Sequence, residues 1–133
     1  MILSQTAEYA LRAVLHLARQ PEDRLARVEQ VAAALEIPRN YLSKILHGLA
    51  RAGILESARG KTGGFRLGIP ADRLALIRVV AEFDEVSRRG QCLLGNPVCS
   101  DRTACAAHAR WKRTADSVAT FFRETTVADL LRD

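Results

Sequence analysis

No apolar run in the chain approaches the ~18 residues that a membrane span requires. The opening MILSQTAEYALRAVLHLAR is apolar early, yet it has no basic leader and no small-residue cleavage site. Its spacing is helical, which points to the first helix of a cytoplasmic protein. Internal repeats and low-complexity segments are also missing. Cysteine is scarce and oddly placed: all three in the 133 residues fall within CLLGNPVCSDRTACAAH, residues 92–108. An odd count confined to one loop argues against a disulfide framework and for metal or redox chemistry. Enzyme signatures are thin. Cys105 with His108 could act as nucleophile and base, but no acidic orienter stands at a telling position and no paired carboxylates mark a cleft. A glycine-rich phosphate loop is likewise missing outside one basic turn, so the chain is not expected to be an enzyme.

What is present suits a small domain with a real core. The hydrophobic fraction is 48% and the length is that of one domain, with or without an appended helical element. The net charge of +5 is unevenly placed. From Glu36 to Gly68 six basic residues (Arg39, Lys44, Arg51, Arg59, Lys61, Arg66) face two acidic ones, whereas from Ala71 onward ten basic residues nearly balance nine acidic ones. A basic excess in one part of a small domain suggests a polyanionic partner, although a solvated surface reads the same way from charge alone.

Periodicity supplies the elements. Ala7, Leu11, Val14, Leu15 and Ala18 mark one face of a helix over Leu3–Arg19, with Ser4 or Thr6 as its cap and Pro21 ending the run. VEQVAAALE gives a short second helix. After the break Glu36-Ile37-Pro38, with proline at the first helical position, a third helix runs from about Arg39 to Ala52 and buries Leu42, Ile45, Leu46 and Leu49. The period then changes from helix to strand. Ile54–Ser57 and the alternating Phe65, Leu67 and Ile69 form a hairpin around the turn RGKTGG. A short buried helix over Leu74–Phe83 precedes the cysteine loop. A long helix from about Ala104 towards Thr125 and a last turn VADLL end the chain. The expected class is mainly α with a small β-hairpin. It divides into residues 1–83, a loop over 84–103, and a helical part over 104–133.

VEQVAAALEIPRNYLSKIL fits a helix-turn-helix. Ala32 stands where two helices pack too closely for a larger side chain, and Leu35, Ile37, Leu42 and Ile45 weld them together. The turn usually takes glycine one residue before its apolar anchor, and Glu36 stands there instead, which leaves an ordinary helical hairpin as the competing reading. The basic hairpin that follows favours a winged helix, whose second helix enters the major groove of double-stranded DNA by its first turn. That turn carries Arg39, Asn40, Tyr41, Ser43 and Lys44. Arginine can read guanine and asparagine adenine by paired hydrogen bonds, while serine or lysine can hold a phosphate. At the wing tip Arg59 and Lys61 could reach the backbone or the minor groove, with Gly60, Gly63 and Gly64 permitting close approach.

Thiolates bind zinc or iron–sulfur clusters, and both want four ligands. His108, three residues after Cys105 on one helical face, would complete a set of Cys92, Cys99, Cys105 and His108. Gaps of six and five residues, wider than those of zinc knuckles, suit a cluster better, while zinc and metal-free redox thiols stay open.

Taken together, AEYALRAVLHLA, IPRNYLSKILHGLARAGIL, RGKTGGFRL, the three-cysteine loop and TTVADLL resemble the dimeric winged-helix regulators that include the iron–sulfur cluster regulator (IscR) and the nitric-oxide-sensing repressor (NsrR). The resemblance spans nearly the whole chain. It implies a homodimer on a near-palindromic operator, with a 2Fe–2S or 4Fe–4S cluster on the three cysteines controlling DNA affinity. Cys105-Ala-Ala-His108 resembles the IscR pattern, with histidine as fourth ligand. Glu8 resembles the acidic ligand that reaches the cluster from the second subunit in the nitric-oxide sensor, and Arg12 resembles that branch's coupling residue. The spacing of Trp111, Ala115, Val118 and Phe122 suggests the seam of the dimerisation helix.

Overall fold

Ser4 starts the first helix as expected: its hydroxyl accepts the Ala7 amide at 3.2 Å, and α1 runs over Gln5–Ala18. The computed structural model describes residues 3–21, 23–84 and 106–132. The buried face of α1 is Ala7, Ala10, Ala13, Val14 and Leu17. That face is mostly alanine because α1 is surrounded, touching four other helices and the hairpin, and small side chains let those elements approach.

Helix α2 (Val28–Leu35) is steadied at its start by the Arg27 amide, which donates to Gln30 Oε1 at 3.0 Å. It ends at Glu36, whose φ of 57° and ψ of 44° are left-handed. Glutamate thus adopts the conformation for which this turn ordinarily uses glycine, and the Ile37 amide still closes back onto the Ala32 carbonyl at 3.1 Å. Helix α3 (Arg39–Arg51) follows at once; Pro38 stands just before it with ψ 130°, as a cap rather than as the first helical residue. Leu42, Ile45, Leu46 and Leu49 are buried, as are Ile37 and Ala32, so the helix-turn-helix welds as its apolar pattern predicts.

Strands β1 (Leu55–Ala58) and β2 (Gly64–Leu67) pair antiparallel, with Leu55 opposite Leu67 and Glu56 opposite Arg66. Ala26 bridges the other edge of β2 through two bonds with Phe65, at 2.9 and 2.8 Å. Two of the three wing glycines are required by this arrangement itself. A Cβ on Gly64, whose φ is +148°, would lie 2.5 Å from the Ala26 carbonyl oxygen, and one on Gly63 would lie 2.3 Å from that of Ala58. Gly60 alone of the three opens into space.

A 3₁₀ turn η1 (Ala71–Arg73) leads into α4 (Leu76–Val80), which is shorter than the expected helix. Leu74, Leu76, Val79 and Val80 are buried beneath α1. The long α5 (His108–Glu124) packs on α4, and α6 (Val127–Leu131) folds back so that the Val127 amide donates to the Leu74 carbonyl at 2.8 Å. Thr126 and Asp129 cap α6 reciprocally, and hydrogen bonds from the Thr126 amide and with its hydroxyl hold the Asp129 carboxyl below its ordinary range. The expected dimer seam is partly committed inside the chain: Phe122 is buried in the core with Val118 packed against it, Ala115 is buried and Trp111 half-buried, whereas Phe121 stands 49% exposed. The loop over 84–103 lies, from residue 85 on, outside the described residues, as does the proposed start of the long helix at Ala104.

Glu36→Gly should raise the unfolding free energy by about 1 kcal/mol, because it relieves a left-handed non-glycine residue and removes little packing. Gly64→Ala should lower it by about 2 kcal/mol or more, since backbone has to move. Chemical denaturation of both variants checks this, and equal stabilities would contradict the assignment of strain.

Candidate nucleic-acid interface

The first turns of α3 and the tip of the hairpin both carry exposed basic residues. Arg39, Asn40, Tyr41 and Lys44 are exposed and Ser43 is half-buried, all within the opening turns of α3. Arg59 and Lys61 are exposed at the hairpin tip, and neither enters an ion pair among the described residues. The residues expected at the major groove, on α3, and those expected at the wing tip, on the hairpin, therefore sit on two neighbouring elements.

Arg39 is not idle. Its Nε donates to Glu29 Oε1 at 2.9 Å, and a second guanidinium nitrogen lies 2.9 Å from the same oxygen. Hydrogen bonding at its own backbone, and then the Arg39 side chain, hold the Glu29 carboxyl below the usual carboxylate range. With the side chains 55% and 58% exposed, the pair contributes little to stability. What it does is aim a flexible arginine across from α2. Arg66 is likewise spent within the fold, on Glu56 across the hairpin at 2.9 Å.

Tyr41 has two partners on α1. Its hydroxyl hydrogen-bonds the Thr6 hydroxyl, and its ring meets Tyr9 edge-on at 5.6 Å. Arg12 lies 5.8 Å over the Tyr9 ring and donates to the Leu35 carbonyl at 2.8 Å, capping the last turn of α2 just before the left-handed Glu36. Thr6, Tyr9 and Arg12 thus clamp α1 to both halves of the helix-turn-helix.

Between α3 and the hairpin lies a groove of about 300 Å³ whose lining includes Arg27, Glu29, His47 and Arg59. Arg27 and His47 are groove residues that sequence reasoning misses. The one signal, for His47 alone, is that it follows Ser43 by four residues and so shares its face of α3.

Of the metal-binding candidates, Cys92, Cys99 and Cys105 lie outside the described residues. His108 is the first residue of α5 and half-buried; Glu8 is exposed in the first turn of α1. Three thiols with an imidazole or a carboxylate make a donor set that fits a cluster's demand for four ligands. Just ahead of the cysteine segment, the Ser4 amide donates to Asp84 Oδ2 at 2.9 Å, and the Phe83 ring lies against Gly48 on α3.

The profile of the Rrf2 family, described as iron-dependent transcriptional regulators, matches residues 3–133. A protein of Aquifex aeolicus described as an HTH-type transcriptional regulator is 35% identical over 133 residues, covering 98% of this chain and 92% of that one. Among solved structures, CymR (YrzC), the global cysteine regulator of B. subtilis, superposes with a TM-score of 0.75 at 25% identity, covering 96% of this chain and 94% of its own. IscR of T. potens does so with a TM-score of 0.77 at 19% identity, covering 98% and 86%. A helix-turn-helix with a basic wing is the DNA-binding part of such proteins, and this chain belongs to the Rrf2 family of winged-helix transcriptional regulators and is not an enzyme.

Proposed function

We propose that the protein is a cytoplasmic, homodimeric regulator that reads a near-palindromic operator and whose DNA affinity follows the state of an iron–sulfur cluster. The observation that carries this reading is the clamp from α1. Arg12 holds the carbonyl of Leu35 at the end of α2, and Thr6 and Tyr9 hold Tyr41 on α3. A displacement of α1 would therefore be felt by the recognition turn.

Cys92, Cys99 and Cys105 would hold the cluster, with His108, or Glu8 of the second subunit, as fourth ligand. When bound, the cluster supplies a group sensitive to redox state, nitric oxide or iron–sulfur supply. The chain's own part is mechanical. Glu8 and Arg12 lie one turn apart on α1, and the segment leading to the cysteines is fastened to the start of α1 by Asp84 and rests on α3 by Phe83. Changes at the cysteine segment thus have two routes to the DNA-facing side, through α1 and through Gly48. Each biases the setting of a helix already in place, a population shift rather than a refolding. The dimer is formed through α5, with Phe121 as the apolar side chain available to a second copy.

DNA affinity should divide by residue class. Arg59→Ala or Lys61→Ala should weaken binding on every sequence and flatten its salt dependence by about one unit for each phosphate no longer neutralised. Arg39→Ala or Asn40→Ala should cost about 1–3 kcal/mol on the preferred operator and much less on random DNA. Equal losses for all four variants on both DNAs would overturn the base-reading assignment.

Alanine at Cys92, Cys99 or Cys105 should abolish visible absorption and change operator affinity. Of His108→Ala and Glu8→Ala, only the change at the true fourth ligand should alter the spectrum while iron is still bound. Arg12→Ala should keep the spectrum and narrow the difference in operator affinity between cluster-loaded and cluster-free protein. Three cysteine variants with wild-type spectra and wild-type DNA response would rule out control by a cluster.

A further inference from the structure

The groove between α3 and the hairpin contains a histidine with no part in base reading or in the α1 clamp. His47 Nδ1 lies 2.7 Å from the Ser43 carbonyl oxygen, one turn back on the same helix. A carbonyl can only accept, so Nδ1 carries the hydrogen and donates. The ring is held from the other side by Phe65, met edge-on at 5.3 Å with planes 84° apart. Nε2 is then the one ring nitrogen left to serve the groove. In the neutral ring it bears a lone pair and repels an anionic oxygen; in the protonated ring it is a charged N–H donor.

The rest of the groove suits an anion. Arg27 comes from the start of α2 and Arg59 from the hairpin tip, and both are exposed. Glu29 is the carboxylate among them, but its Oε1 is engaged by Arg39 at 2.9 Å, so that pair is close to neutral. On α3 itself the nearest charges in sequence, Lys44 and Arg51, are also cationic and exposed. Around His47 the balance is therefore positive from each element that faces it.

We propose that this groove seats a phosphate of the DNA backbone, and that His47 closes on it only when protonated, so that DNA is held more tightly as the pH falls. The proposal rests on the reading that α3 and the hairpin face DNA. Backbone phosphodiesters stay negative throughout this range, so the pH dependence belongs to the protein. DNA and the proton reinforce each other's binding by linkage. Because a phosphate contact is blind to sequence, the effect should appear on any duplex.

The test is a fluorescence-anisotropy titration of a mixed-sequence duplex with the full-length chain, at pH about 6 and about 8 and several salt concentrations. Wild type should bind about tenfold more tightly at the lower pH, with a salt slope steeper by about one unit for each phosphate seat gained. His47→Gln should match wild type at the higher pH and lose the gain at the lower one. His47→Lys, a permanent cation, should bind tightly at both. Circular dichroism of the variants would confirm that the fold is kept. A pH gain that survives in His47→Gln, or wild-type binding that ignores pH, would overturn the histidine seat while leaving DNA binding intact. No binding by wild type to any duplex at either pH would overturn the DNA-facing reading and the seat with it.

Discussion

The buried face of α1 is the constraint on which the rest of the molecule depends. Ala7, Ala10, Ala13 and Val14 are fully buried, and α2, α3, α4, α6 and the hairpin all pack around this helix. Side chains this small leave little room for accommodation, because a close-packed interface transmits a shift rather than absorbing it. One larger side chain in this face would push several elements at once. Helix α3 is thus positioned by α1 as well as by α2, and the polar clamp of Thr6, Tyr9 and Arg12 extends that control to its first turn, the one proposed to meet DNA.

The basic charge is divided between two tasks. Arg66 holds the hairpin together against Glu56, and Arg39 is aimed by Glu29. Arg59 and Lys61 stay at the hairpin tip, exposed to solvent, where their charge remains available to a polyanion. A net charge of +5 read from composition cannot make this distinction. Geometry does, and it places the uncommitted cations beside the helix that carries Arg39 and Asn40.

Much of the helix-turn-helix is legible in sequence because its burial pattern is local. Ile37, Leu42, Ile45, Leu46 and Leu49 lie where the period puts them, and α6 forms over the stretch expected of it. Glu36 is legible as a mismatch, and the structure explains it: the turn keeps its left-handed geometry and tolerates the side chain. Gly63 and Gly64 are legible as glycines, but a glycine requirement says that something comes close without saying what. Here it is the backbone of Ala26 and Ala58. Similarly, of the expected seam Trp111, Ala115, Val118 and Phe122, Ala115 and Phe122 are buried and the other two half-buried within the chain itself, and periodicity cannot tell a chain's own core from a partner's. The polar contacts of Tyr41 and Arg12 escape because they join residues distant in the chain, and that of His47 because its i, i+4 spacing from Ser43 says nothing of which ring nitrogen is left free. The three cysteines, legible only as a donor set, lie outside the described residues.

Control by an iron–sulfur cluster is tested most directly by what the protein carries when purified without oxygen. Absorption spectroscopy combined with iron, acid-labile sulfide and zinc counts per chain provides that measurement. The account predicts a coloured protein with iron and sulfide in equal numbers and no stoichiometric zinc. A colourless protein with one zinc per chain, or with three free thiols and no metal, would contradict it.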